Sequence, residues 1–276
     1  MRNASLESGF IKIDATADPS KYIRKMDRKA SGEASKNIKR VSIDLLQLKP
    51  GDRVLDIGCG TGGEVRKMAA IVGLRGRAVG VDFSETMLDE AKKRSRAEEL
   101  RPFFFQSDAT RLPFREDRFD ACRTEGMLYL IEDPVAAVKE MVRVVKPGGR
   151  SVCIEPDFGT YRIEGSEPEL TKRMIEARCA HFKNSKVARL LPLLFGKVGL
   201  TDIKISTVEL AQNQLDAEQM SMLRDNFVDA AALRQLATRD EGERWLADLN
   251  EAATKGIYRM TFHLFVVFGR KPAREG

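Results

Sequence analysis

The sequence predicts an α/β protein built on a doubly wound, mostly parallel sheet. Two observations support this fold: seven short runs are rich in β-forming residues, and the segments between them carry apolar residues at helical spacing. The runs cover residues 53–58, 78–83, 103–108, 119–125, 150–155, 203–210 and 261–270. The last two runs have no crossover helix pattern directly beside them, and parallel neighbours need such a crossover. We therefore expect these two runs to form an antiparallel pair at the sheet edge.

The helices are predicted from their start and stop signals. The dipeptide Asp18-Pro19 indicates a helix start within residues 1–49, which we interpret as an N-terminal helical cap. The helix before the fifth run is bounded on both sides. Asp133 can cap it, Pro134 suits its first turn, and the Lys-Pro-Gly-Gly segment at 146–149 ends it.

Residues 50–276 are predicted to form the main domain, with two insertions. The alternation of strands and helices breaks at about 157–198 and again at about 211–256. Long excursions at the carboxyl ends of strands are where α/β proteins place substrate-binding elements and lids. Apolar residues at helical spacing in the second insertion indicate core packing, with a substrate-pocket wall as the alternative. They are Met220, Leu223, Phe227, Ala231, Trp245 and Leu249.

Composition excludes several classes of function. The 276 residues carry a net charge of +6, but basic and acidic residues are interspersed, so we do not expect a nucleic-acid partner. No run of 18 apolar residues predicts a membrane span, and the N-terminus lacks the apolar core of a signal peptide, so we expect a cytoplasmic protein. Four cysteines without paired spacing and two distant histidines predict neither a metal site nor a disulfide framework.

A glycine-rich turn follows the first run. Gly58, Gly60 and Gly63 satisfy the G-x-G-x-x-G pattern, which dinucleotide-dependent oxidoreductases share. Asp56 precedes this turn at the carboxyl end of the strand. A carboxylate there suits a ligand with an ammonium and a sulfonium, such as S-adenosylmethionine, better than a pyrophosphate. The alternative is that Asp56 only caps the glycine turn.

Acidic residues also end the next two runs. Asp82 can accept hydrogen bonds from both ribose hydroxyls, and Phe83 or Met87 can line an adenine slot. Asp108, at the end of the third run, can accept from an exocyclic adenine amine, although a solvent-exposed turn acid is the alternative. Three acids at successive strand ends together indicate a nucleoside ligand.

The chain resembles the class I S-adenosylmethionine-dependent methyltransferases, in the small-molecule branch that includes quinone-biosynthesis and natural-product enzymes. The resemblance spans about residues 50–155 and continues more loosely to the end of the chain. Its matching pieces are 55–62, Asp82, 107–114, 119–120 and 146–149. It implies S-adenosylmethionine as the cofactor and a seven-stranded sheet whose last strand is antiparallel. The implied cofactor contacts are Asp56, Gly58, Gly60, Gly62, Asp82, Asp108, Ala109 and Thr124.

Methyl transfer needs positioning and exclusion of water more than a general base, so we expect no catalytic triad. Candidate acceptor-side groups are Glu125, Tyr129, Asp157, Tyr161 and His181. For His181 the alternative is a packed or surface histidine, and Asp157 can simply cap a turn. Tyr22 is either a lid over the cofactor or an ordinary packing residue.

We expect the partner to be a small-molecule acceptor, and a homo-oligomer is possible. The end of the fourth run lacks the Asp/Asn-Pro-Pro-aromatic tetrad of amino-methylating enzymes that act on nucleic acid bases. Three rival functions stay open: a nicotinamide-dependent oxidoreductase, a non-catalytic cofactor-binding member, and an RNA methyltransferase.

Overall fold

The structure, a computed structural model, describes residues 13–100 and 102–274. Seven strands form one sheet in the order β3-β2-β1-β4-β5-β7-β6. The strands are β1 (Arg53–Ile57), β2 (Arg77–Asp82), β3 (Phe103–Gln106), β4 (Phe119–Glu125), β5 (Val145–Ile163), β6 (Thr201–Gln212) and β7 (Met260–Arg270). Strands β1 to β5 pair parallel with one another, whereas β7 lies between β5 and β6 and runs antiparallel to both. The predicted fold class, with an antiparallel last strand, is confirmed.

Ten α-helices and one π-helical turn surround the sheet in the described ranges. They are α1 (Ser20–Ser31), α2 (Glu33–Leu45), α3 (Gly63–Val72), α4 (Glu85–Arg94), α5 (Pro134–Val144), α6 (Pro168–Cys179), α7 (Val187–Lys197), α8 (Ala217–Leu223), the π-helical turn (Arg224–Val228), α9 (Asp229–Leu233) and α10 (Arg239–Thr254). Helix α5 starts as predicted, because the Asp133 side chain accepts a hydrogen bond from the N–H of Ala136 and Pro134 occupies the first turn. Within these ranges, no helix combines the length and apolar character of a membrane span.

Strand β5 is longer than the sequence predicts. It was expected to end at residue 155, but it continues to Ile163, because β7 still pairs with it there after a register shift between Asp157 and Arg162. The Thr160 hydroxyl, inside this shift, accepts a hydrogen bond of 2.8 Å from the N–H of His263 in β7. The prediction that Asp157 follows the fifth strand was therefore wrong: it lies within β5 and is buried.

Apolar side chains cover both faces of the sheet, and a third apolar cluster joins the insertion helices to the ends of β5 and β7. Six apolar residues of the second insertion were predicted at helical spacing. Met220 packs against this third cluster, and the other five are buried in it. They are Leu223, Phe227, Ala231, Trp245 and Leu249. These six residues therefore pack in a core, and none of them lines the cavity described below.

Replacing Trp245 by phenylalanine is expected to lower the free energy of unfolding by about 1–2 kcal/mol. Trp245 is fully buried, and its indole N–H donates a hydrogen bond of 2.9 Å to the Thr171 hydroxyl, which phenylalanine cannot make. Urea unfolding measures the loss. Leu233→Ala, at a position 76% exposed, is the matched control and should change stability by less than about 0.5 kcal/mol. Equal effects from the two variants would contradict the assignment of Trp245 to a core.

Candidate cofactor-binding site

A cavity of about 490 Å³ lies at the carboxyl ends of β1, β2 and β4. The glycine loop after β1 forms its floor, and residues that follow β2, β3 and β4 form its walls. Lys25, Met26 and Ala30 of α1 also line it, so the N-terminal helices contribute to the site. From β1 the chain builds the sheet in one direction through β2 to β3, and then in the other direction from β4 to β5. The switch point therefore lies between β1 and β4, and such a point is where doubly wound sheets bind ligands.

Backbone geometry explains the glycines of the loop. Gly58, Gly60 and Gly62 have φ values of +73°, +51° and +73°, a region that residues with a Cβ rarely adopt. A Cβ on Gly60 would lie 2.2 Å from the side chain of Met26, so α1 approaches the loop closely. Gly58 and Gly60 line the cavity, whereas Gly62 lies outside it, at the start of α3 and against Phe104.

Asp82 sits at the tip of β2 and faces the cavity. One carboxylate oxygen accepts a hydrogen bond of 2.8 Å from the N–H of Gly60, and the other accepts one of 3.0 Å from the N–H of Ser84. Burial raises the pKa of Asp82, while these backbone donors oppose the shift. Each oxygen has further lone-pair capacity for a ribose hydroxyl. Phe83, which is 65% exposed, and the buried Met87 line the same wall.

Asp108 and Ala109, after β3, form the next part of the wall. The N–H and the hydroxyl of Thr110 both donate to the Oδ1 atom of Asp108, each at 2.8 Å. These bonds fix the carboxylate while its Oδ2 atom can accept from an amine in the cavity. Asp82 and Asp108 thus lie on neighbouring strand ends, as the sequence predicts.

The two oxygens of Asp56 face a buried arginine that the sequence analysis missed. The Nη1 atom of Arg123 donates to both at 3.2 Å, and its Nη2 atom donates to Glu125 at 2.6 Å. Burial raises the pKa of Asp56 to about 7, although Arg123 opposes the shift. A single arginine in the otherwise apolar middle of the 119–125 run was the available signal.

A second ion pair lies beside the first. Lys39 of α2 donates to Glu64 of α3 at 2.8 Å, and both side chains are nearly buried and line the cavity. Burial alone would raise the pKa of Glu64, but the charges of Lys39 and Arg123 lower it to about 2. These residues were also missed, because nothing in their spacing indicates that α2 and α3 meet at the cavity.

Replacing Lys39 by methionine is expected to lower the free energy of unfolding by about 2–3 kcal/mol at pH 7. The lowered pKa of Glu64 stabilises the fold above its ordinary pKa near 4.5, and this contribution is lost as pH falls from there towards 2. The gap between wild type and variant should therefore narrow in acid. Unfolding curves from pH 7 to pH 3 test this, with the exposed Lys36→Met as control. A gap that stays constant with pH would contradict the pairing.

Glu155, at the position where β5 was expected to end, holds the segment after β4. It is fully buried, and its carboxylate accepts hydrogen bonds from the N–H groups of Met127 and Leu128 at 3.0 Å and of Tyr129 at 3.4 Å. This carboxylate thereby positions one wall of the cavity. The sequence analysis missed Glu155, because nothing in the run at 150–155 indicates which backbone groups its carboxylate meets.

The structure brings two of the five acceptor-side candidates to the cavity, and Tyr161 lies outside it, stacked on the Phe158 ring. Glu125 and Tyr129 line it, and the Tyr129 ring packs edge-on against Phe158 and Phe182. Thr124, at the end of β4, is buried and does not line the cavity. Tyr22 does not line it either. It is buried with Ile13 and Met87, as a packing residue.

Asp157 and His181 lie outside the cavity wall. Both oxygens of Asp157 accept from Arg189 of α7, at 2.5 and 2.8 Å, which joins β5 to the first insertion. His181, just after α6, is partly exposed and packs edge-on against Phe182. Neither side chain is placed to touch a molecule in the cavity.

The N-terminal segment is tied to the nucleoside side of the cavity. Asp14 accepts hydrogen bonds from the Ser84 hydroxyl at 2.6 Å and from the N–H groups of Glu85 and Thr86 at 2.9 and 3.1 Å. These donors belong to the start of α4, directly after Asp82. A carboxylate suits this position because helix N-termini carry unpaired N–H groups and partial positive charge.

These residues fit S-adenosylmethionine. Acidic side chains at the tips of β2 and β3 can hold its ribose and adenine, and the loop at Gly58 and Gly60 leaves space where side chains would intrude. The cavity volume of about 490 Å³ lies in the range of small-molecule and cofactor sites. Carboxylates near the methionine end suit a cation. Among the described residues, no group of three or more metal-binding side chains converges.

The fold and the cavity agree with the class I S-adenosylmethionine-dependent methyltransferases that the sequence resembles, and S-adenosylmethionine is the cofactor that this site fits. Residues 54–149 match the family described as "Methyltransferase domain", which confirms the resemblance found in the sequence. The match includes the glycine loop, Asp82, Asp108 and the whole of β4.

Three known proteins are similar to this chain in sequence or in structure. A demethylmenaquinone methyltransferase of Bacillus cereus is 35% identical over 131 residues, which are 47% of this chain and 55% of that protein. The YcgJ protein of Bacillus subtilis has a similar structure, with a TM-score of 0.59, 19% identity and coverage of 86% of this chain and 98% of that one. Phosphoethanolamine N-methyltransferase 2 of Haemonchus contortus, solved with S-adenosyl-L-methionine, has a TM-score of 0.55 and 19% identity over 86% of this chain and 52% of that one. The chain spans about half the length of the curated relatives it matches.

Proposed function

We propose that this protein transfers a methyl group from S-adenosylmethionine to a small organic acceptor. The observation that carries the proposal is one continuous cavity with two parts. One part is bordered by the glycine loop, Asp82 and Asp108, and the other by Met127 and residues 129–131 after β4. The first part suits the nucleoside, and the apolar side chains of Met127, Leu130 and Ile131 in the second suit an organic acceptor.

S-adenosylmethionine, when bound, supplies a methyl group that is already activated by its sulfonium. The protein therefore has to orient both partners in line and exclude water. Asp82 and Asp108 would fix the nucleoside, and the close approach of Met26 to Gly60 would shield the reacting end from solvent. Glu155 would hold the backbone of the opposite wall in place through the hydrogen bonds that its carboxylate accepts from three N–H groups.

The acceptor is proposed to meet Glu125 and Tyr129. Glu125 is held by Arg123 and keeps part of its carboxylate towards the cavity, where it can accept a proton or a hydrogen bond from the acceptor. Met127, Leu130 and Ile131 make this end apolar, which suits a ring-containing molecule. A quinone-like or natural-product acceptor in secondary metabolism is part of the proposal. One relative is named for demethylmenaquinone, which agrees with it.

A cytoplasmic location is also proposed. All four cysteines are free thiols, three of them buried, which suits a reducing compartment. We further propose that the acceptor is not a nucleic acid, because charged residues of both signs alternate along the chain. Binding to RNA that weakens steeply with salt would contradict this.

Thermal shift followed by methyl transfer tests the proposal. S-adenosylmethionine and S-adenosylhomocysteine should raise the melting temperature, and NAD(H) should not, because only a ligand that binds the native state stabilises it. The protein is then incubated with methyl-labelled S-adenosylmethionine and a panel of quinones and phenols. The label should move from S-adenosylmethionine to one of these small molecules. Stabilisation by NAD(H) alone would favour an oxidoreductase. Stabilisation by both nucleosides without any labelled product would favour a cofactor-binding protein that does not transfer methyl groups.

A further inference from the structure

We infer that a cluster of five charged side chains in the cavity wall distinguishes S-adenosylmethionine from S-adenosylhomocysteine by charge. The cluster releases a proton when the first binds and keeps that proton when the second binds. The inference rests on the proposed function, because it requires that both molecules occupy the cavity. It goes further by assigning a task to residues that do not contact the nucleoside.

The cluster carries one more negative than positive charge when all its members are ionised. Two ion pairs of α2, α3, β1 and β4 meet there: Lys39 with Glu64 at 2.8 Å, and Arg123 with Asp56 at 3.2 Å. Arg123 also binds Glu125 at 2.6 Å. Lys67 pairs with Glu64 at 3.3 Å, but its side chain is 57% exposed, so water screens its charge. Among the mostly buried side chains, two cations therefore serve three carboxylates. All five side chains line the cavity.

An excess charge is costly at this depth. The side chains of Asp56 and Arg123 are 3% and 2% exposed, and that of Glu64 is 10% exposed. A buried carboxylate without a full counter-charge takes up a proton instead of staying ionised. The pKa of Asp56 agrees, since burial raises it to about 7 and the negative charges of Glu64 and Glu125 contribute to the rise. Without a ligand, the cluster therefore holds one proton below neutral pH.

Strand order places this cluster near the reacting end of the ligand. With adenine at Asp108 after β3 and ribose at Asp82 after β2, the rest of the molecule extends towards the ends of β1 and β4, where Asp56 and Glu125 lie. S-adenosylmethionine has one net positive charge from its sulfonium, ammonium and carboxylate. S-adenosylhomocysteine has lost the sulfonium charge and is neutral overall. The first ligand can replace the proton of the cluster, and the second cannot.

Other titratable groups near Asp56 do not supply the missing charge. Burial raises the pKa values of the Cys59 and Cys122 thiols well above the usual range for a thiol, so both groups are neutral. Asp82 is a further carboxylate close to Cys59, but it faces the ribose, which both ligands share. Lys25 of α1 lines the cavity and interacts electrostatically with Asp225 of the π-helical turn.

Calorimetric titration of the wild-type protein at pH 6, in two buffers of different ionisation enthalpy, tests the inference. We expect about one proton released for each S-adenosylmethionine bound and none for S-adenosylhomocysteine. From pH 7 to pH 6, affinity for the first should fall about fivefold, while affinity for the second stays constant. Binding of S-adenosylmethionine without proton release would overturn the inference and leave the proposed function standing. Equal release by both ligands would also overturn it, because the sulfonium charge would then not be what expels the proton. No binding of either ligand at any pH would overturn both.

Variants locate the proton. Asp56→Asn removes the excess carboxylate, so proton release should fall close to zero and affinity for S-adenosylmethionine should stop changing with pH. Glu125→Gln, nearer the cavity, removes the same charge and should act alike if Asp56→Asn does not fold. Asp108→Asn is the matched control: it should weaken both ligands equally and leave about one proton released. A folded Asp56→Asn or Glu125→Gln protein with wild-type proton release would contradict the assignment to the cluster.

Discussion

Replacing Asp82 by asparagine is expected to weaken binding of both S-adenosylmethionine and S-adenosylhomocysteine by about 100-fold or more. Hydrogen bonds to a charged group contribute about 1.5–3 kcal/mol each, and this carboxylate can accept two from a ribose. Calorimetry measures the loss. Asparagine keeps the shape and one acceptor oxygen for the N–H of Gly60, so the loop should keep its conformation.

The exposed Asp89→Asn, seven residues further on, is the matched control and should bind both ligands like the wild type. The melting temperature of Asp82→Asn without ligand should stay close to that of the control. A variant that keeps its fold and its full affinity would remove Asp82 from the site.

Replacing Arg123 by methionine is expected to lower the free energy of unfolding at pH 7 by about 3–5 kcal/mol. Methionine fills much of the volume, but Asp56 and Glu125 lose their shared cation inside a buried cluster. Chemical unfolding measures the loss. As pH falls the loss should become smaller, because the two carboxylates can take up protons and shed their charge.

The double variant Arg123→Met with Asp56→Asn provides the internal control for this prediction. It removes one of the two orphaned charges and should recover part of the lost stability, so the two substitutions should not be additive. The exposed Arg40→Met is the surface control, with an expected change below about 0.5 kcal/mol. Full additivity in the double variant would contradict the cluster.

Most of the sheet could be predicted from sequence because its signals are local. Each strand run alternates with a helical stripe, and the caps at Asp133 and Pro134 act within one turn. The length of β5 could not be predicted in this way. Its last residues are strand only because β7, about 100 residues away in sequence, pairs with them. Pairing over such separations leaves no pattern within β5 itself.

The nucleoside half of the site was predictable for a related reason. Asp82 and Asp108 end neighbouring parallel strands, and the topology alone brings such ends together. The charged cluster was not predictable, because Lys39 and Glu64 reach the cavity through the packing of α2 and α3. Asp56 was expected to contact the ligand directly, whereas in the structure both of its carboxylate oxygens accept hydrogen bonds from Arg123. The position of His181 likewise depends on how the first insertion packs.

A crystal structure with S-adenosylhomocysteine tests the central claim most directly. The account predicts the adenine amine within hydrogen-bonding distance of Asp108, both ribose hydroxyls on Asp82, and the sulfur above Gly58 and Gly60 on the side of Glu125 and Tyr129. A ligand bound at any other place, or reversed so that its adenine lies against Glu125, would contradict the account.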